Sequence, residues 1–134
     1  MTAKEYLKKH ANHKSDISDM ESRINELRQR KKQIHALKFG TPRAKRKTDL
    51  SDAEAAIDEL IRSYEDSIKQ CVRREEEIGK RIGELIDPEE RKVLRLLYVM
   101  DKKLTWYEIA EELHVSKRTA QNIHGRALLH FRMT

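Results

Sequence analysis

The sequence predicts an all-α protein: a long antiparallel helical hairpin, coiled-coil-like along its seam, followed by a compact helix-turn-helix. Three observations carry this. Apolar residues recur at helical spacing in two long stretches, 3–38 and 50–86. With 4 Gly and 2 Pro in 134 residues, the chain lacks the punctuation that an all-β fold needs. The last third holds two short amphipathic segments in succession, each with its own helix-start signal. The expected boundary lies between 86 and 87, with 1–86 serving interaction or dimerisation and 87–134 forming the second domain.

The first helix, expected over 3–38, opens with a Thr2/Glu5 capping box. From Ile17 the apolar positions step through Met20, Ile24, Leu27 and Ile34, a heptad seam in which Lys31 fills the skipped place. Carried backwards, the register places His10 and His13 on the seam. Gly40 and Pro42 end the helix, and the stretch 39–49 reads as a loop with four cations between Arg43 and Lys47. The second helix is expected to start at a Ser51/Glu54 capping box. Its Ile57, Leu60, Ile61, Tyr64, Ile68, Cys71, Ile78, Ile82 and Leu85 repeat at about 3.6 residues. Two helices of near-equal length close as an antiparallel hairpin that pairs Leu27 with Ile61, Met20 with Ile68 and Ile17 with Cys71.

Asp87 and Pro88 mark a new start: Asp is a good N-cap, Pro suits the first helical position, and Glu89 and Glu90 complement the helix dipole. The helix they open carries Val93, Leu94, Leu97 and Met100 on one side. Thr105 and Glu108 cap the next, whose inner face is Trp106, Ile109, Ala110 and Leu113. His114 occupies the turn, where the backbone needs a positive φ that His tolerates better than most non-glycine residues. Ser116 caps the last helix. On its wheel Ala120, Ile123, Ala127 and Phe131 share the inward arc.

The outward arc of that helix carries Lys117, Arg118, Gln121, Asn122 and Gly125. Lys and Arg suit the guanine edge, and Asn and Gln suit adenine, so the arc is expected to read double-stranded DNA in the major groove. Ser116, Arg126, Tyr107, Lys102 and Lys103 are further expected contacts, the last three with phosphates. Gly125 fits either close approach to bases or a tolerated surface glycine. Trp106 is expected in the core rather than at a contact. Charge is segregated: seven acids and five Lys or Arg lie in 87–113, whereas 114–134 has no acid and four Lys or Arg.

Composition bounds the rest. A net charge of +6 favours an acidic partner. With 39% charged and 5% aromatic residues the core must be thin, so narrow helical seams fit better than a thick globule. The single Cys71 precludes an internal disulfide and suits a reducing cytoplasmic home. The segment Met1 to Glu5 has no apolar run and is no signal peptide. The longest apolar stretch, Leu96 to Met100, is far short of a membrane span. His10 and His13 lack a third ligand nearby, so no metal is expected. With no phosphate loop and no nucleophile–base pair, neither a cofactor nor an enzymatic activity is expected.

Residues 85–131 resemble region 4 of bacterial sigma-70 factors. The resemblance rests on Pro88-Glu89-Glu90-Arg91, Val93-Leu94, Leu97-Tyr98, Tyr107-Glu108-Ile109-Ala110-Glu111, Val115-Ser116, Thr119-Ala120 and Arg126-Ala127-Leu128. His114 departs from the usual turn glycine. In layout the whole chain is similar to the ArpU/RinA-type late transcription regulators of Gram-positive phages. The resemblance implies a phage or prophage transcription regulator that binds promoter-region DNA and contacts RNA polymerase. It does not imply a full sigma factor, since nothing resembles the region that melts the promoter. A small-terminase-like DNA-packaging subunit and a pure protein-interaction module are the competing readings. A homodimer is expected, because two helices sharing one seam bury little and two copies raise affinity through effective concentration.

Overall fold

The computed structural model describes residues 1–40 and 44–133. Among them there is no strand. The helices are α1 (Ala3–His10), α2 (Lys14–Phe39), α3 (Ala44–Gly83), α4 (Pro88–Leu94, continuing into a π-helical turn Arg95–Val99), α5 (Trp106–Leu113) and α6 (Lys117–His130). None of these is long and apolar enough to cross a membrane. The chain forms two compact units, Ser15–Gln70 on one hand and Met1–Lys14 with Cys71–Thr134 on the other. These limits differ from the expected 86/87 boundary, because both the N-terminal helix and the end of α3 are built into the helix-turn-helix unit.

In the Ser15–Gln70 unit, α2 and the first part of α3 lie antiparallel. Lys31 pairs with Asp58 at 2.7 Å, Arg28 with Glu65 at 4.0 Å and Lys38 with Glu54 at 3.0 Å, one number falling as the other rises. Ile24, Leu27, Ile57 and Ile61 are buried between the helices, with Ile34, Tyr64 and Ile68 closing the seam. Lys31 sits on the seam half-buried, as its heptad position predicts. Leu60, expected among the seam residues, is exposed.

Two helix boundaries depart from expectation. α3 already runs at Ala44, so Ser51 lies inside it and caps nothing. Ala44 to Lys47 is made of good helix formers, and a run of cations does not stop a helix. Glu54 turns instead to Lys38 and His35. Of the basic stretch, Arg43 lies outside the described residues, as do Thr41 and Pro42. The helix expected over 3–38 breaks at Ala11–His13. Ala11 is buried in the core of its unit. The Asn12 amide donates to the Met100 carbonyl at 3.3 Å, the His13 N–H to Glu75, and the Lys14 ammonium pairs with Asp101 at 2.7 Å. The Asn12 side-chain oxygen then accepts the Lys14 N–H at 2.9 Å, satisfying a free donor where α2 begins.

The other unit has two layers of core. One holds Leu7 and Ala11 of α1, Ile78 and Ile82 of α3, Leu85, Leu94, Tyr98, Ala127 and Phe131. The second, inside the helix-turn-helix, holds Val93, Leu96, Ile109, Ala110, Leu113, Ala120 and Ile123. α3 stops at Gly83, three residues before expected: Leu85 must dip into the core, and Arg91 donates to the freed carbonyls of Leu85 and Ile86 at 2.5 and 3.1 Å. Asp87 caps α4 through the Glu89 N–H, with Pro88 in the first turn. The π-helical turn then shifts the phase of the following residues. Leu96 and Tyr98 therefore face inward, and Met100, expected on the inner side, is exposed.

Candidate nucleic-acid interface

The turn between α5 and α6 fixes how α6 is presented. His114 has φ 56° and ψ 41°, in the left-handed region. Its N–H donates to the Glu111 carbonyl at 3.1 Å and the Val115 N–H to Ala110 at 3.0 Å, a Schellman ending that satisfies the last carbonyls of α5. Ser116 then opens α6: its hydroxyl oxygen accepts the Thr119 N–H at 3.1 Å and its O–H donates to the Thr119 hydroxyl at 2.8 Å. At the head of α5 the Thr105/Glu108 capping box is complete. The Thr105 hydrogen bonds, aided by the charge of Lys102, hold the Glu108 carboxyl below its ordinary pKa.

With Ala120, Ile123 and Ala127 buried, the opposite side of α6 is free. Ser116, Lys117, Arg118, Gln121, Asn122 and Gly125 are all exposed, as are Lys102 and Lys103 in the loop before α5. A Cβ placed on Gly125 would meet nothing within 4 Å, so no other part of the protein requires glycine there. Tyr107 is 71% exposed, and the Lys117 ammonium lies 4.7 Å from the centre of its ring. The starts of α5 and α6 thus form one patch. Trp106 packs into the inner core, as expected.

Arg126 is exposed but stands apart from that patch. It lines an open groove of about 890 Å³ with Leu85, Ile86, Leu129 and His130. Beside it Glu90, 3% exposed, accepts from His130 Nδ1 at 2.9 Å, tying the end of α6 to α4.

The residue that sequence reasoning missed is His124. It lies beside the outward arc with its Nε2 2.7 Å from the Tyr98 hydroxyl and its ring 5.3 Å from Trp106. Burial, then the charges of Lys4 and Lys8, lowers its pKa. Burial also pushes the Tyr98 phenol up to about 12. A neutral imidazole that accepts the Tyr98 proton fits both. The one signal in the sequence was its place between Lys117 and Phe131 on the wheel, at the edge of the inward arc. Its partner on α4 was hidden by the π-helical phase shift.

No curated protein and no solved structure matches the chain. Residues 84–132 match the family model for sigma-70, region 4, and this segment, with its paired caps and free α6 face, is a sigma-70 region 4-like helix-turn-helix.

Proposed function

We propose that the protein is a sequence-specific transcription regulator of phage or prophage type that lays α6 in the DNA major groove. The observation that carries this is the exposed, acid-free face of α6, with Lys117, Arg118, Gln121, Asn122 and Gly125 on a sigma-70 region 4-like helix-turn-helix. Cationic forks and side-chain amides are the groups that hydrogen-bond base edges, while Tyr107, Lys102 and Lys103 are suited to phosphates. In this reading the protein acts in the cytoplasm, without enzymatic activity, and touches RNA polymerase while bound near a promoter. The hairpin unit makes it a dimer. In support, that unit has a single seam and leaves Phe39 81% exposed along with Leu37 and Leu60. Selection of bound sequences from a randomised duplex pool tests the proposal. One enriched motif is expected, with two half-sites about 10 base pairs or a multiple apart if two copies bind. Recovery of unenriched sequence would rule out specific reading. Sedimentation at micromolar concentration showing only monomer, alone and on DNA, would remove the dimer.

A further inference from the structure

Helix α1 lies outside the segment that matches the sigma-70 family model, yet it is packed on α6. Leu7 and Ala11 share a core with Ala127 and Phe131, and Leu128 closes against it. The two flanks of α1 face different elements. Tyr6 and His10 form one flank, toward the end of α3, where Arg81 donates to the Tyr6 hydroxyl at 3.4 Å and the charge of Arg74 reaches His10. Lys4 and Lys8, one turn apart and both exposed, fall on the other flank by the helical period. That flank looks toward His124, whose ring feels both charges.

On α6, Lys117, Gln121, His124 and Leu128 follow one another at steps of three and four, so they form one row along the side of the helix. The row begins at the Lys117–Tyr107 stack and reaches the part of α6 that α1 covers. A helix seated in the major groove has a sugar–phosphate strand running along each side, and cations placed there position the protein without reading sequence. The one acid of α1, Glu5, is engaged in the Thr2 capping box, where its carboxylate accepts the Thr2 N–H.

We propose that α1 belongs to the DNA-binding surface, with Lys4 and Lys8 contacting the phosphate strand beside α6 and continuing the line begun by Tyr107. This rests on the double-stranded DNA reading above. The test is equilibrium binding of the full chain to a random-sequence duplex of about 30 base pairs across a salt series. Each phosphate contact contributes about 0.9 to the slope of log K against log salt, so Lys4→Gln with Lys8→Gln should reduce the slope by about 1.8. Lys9→Gln, on the outward face of α1, should leave the slope unchanged, and the Lys4→Arg, Lys8→Arg pair should keep the parent's slope. An unchanged slope in the double Gln variant overturns the role of α1 and leaves the DNA reading intact. An equal drop from Lys9→Gln also overturns it, since net charge alone would then explain the effect. Failure of the parent to bind the duplex at low salt overturns the DNA reading itself. If the double Gln variant melts early, the single Lys8→Gln variant decides: a slope lower by about 0.9 supports the contact, and a parental one overturns it.

Discussion

The helix-turn-helix unit and the hairpin unit are built from the same few residue types yet are held by different means. In the first, the start of each of α4, α5 and α6 is pinned by a local device: Asp87 with Pro88, the Thr105/Glu108 box, and His114 in the left-handed region followed by Ser116. Behind these lie two layers of buried side chains. The hairpin has one seam of four buried residues, with partly exposed ion pairs along its edges. A recognition helix must be presented in one orientation, so its unit needs redundancy. A hairpin only has to keep two helices side by side.

The largest effect that separates the two designs is expected from their cores. Leu7 and Leu27 are both almost fully buried. Leu7→Ala should cost about 2–5 kcal/mol and expose α6 amides to hydrogen exchange, although Leu7 lies outside the matched segment. Leu27→Asp should open the hairpin while α4 to α6 keep their protection. Loss of protection in α6 from the Leu27 variant would show that the units do not stand independently.

Next in size is the reading of DNA. Arg118→Ala should weaken binding to the selected site by about 1–3 kcal/mol and change random-duplex binding much less. Equal losses on both would make Arg118 a phosphate contact only. For the turn, His114→Gly should be neutral or stabilising, whereas His114→Val should cost about 1–3 kcal/mol, since a β-branched residue resists φ 56°. A valine variant that melts with the parent would mean that the turn tolerates any residue.

A pH series probes the buried pair behind α6. The His124 pKa is lowered in the folded protein by burial first. Below its ordinary value of about 6.5 the unfolded chain takes up a proton that the folded one resists. Stability should therefore fall as pH drops from about 6.5 toward the depressed folded value, and His10 contributes in the same direction. His124→Gln should flatten the difference between melts at about pH 7 and pH 5; an unaltered difference would assign it to other groups. The smallest effect belongs to the hairpin. A double-mutant cycle on Lys31 and Asp58, each about 40% exposed, should return about 0.2–1 kcal/mol, and more than that would make the pair a true anchor of register.

What the sequence disclosed follows the reach of each interaction. The caps at Thr2, Asp87, Thr105 and Ser116 and the left-handed turn act over three or four positions, so they were legible; Ser51 and Glu54 fit the same pattern but lie inside α3. So was the outward arc of α6, because helical spacing alone separates it from Ala120, Ile123 and Ala127. The break at Ala11–His13 was not legible, since its partners Glu75, Met100 and Asp101 lie 62 to 88 residues away. Reading 3–38 as one helix hid the packing of α1 against α6. The π-helical turn hid Tyr98, and with it His124, because a one-residue change of phase leaves no mark in composition.

The helix-turn-helix unit takes its first segment from residues 1–14 and the rest from 71–134. As the chain leaves the ribosome, Leu7 is made well before Phe131, so the core they share cannot close until synthesis has passed residue 131. The intervening hairpin is free to form in that interval. Being antiparallel, it brings its own two ends together and so offsets a loop-closure cost on the order of 3–4 kcal/mol. On this schedule the hairpin acts as a folding clasp, closed before the core that Leu7 and Phe131 share.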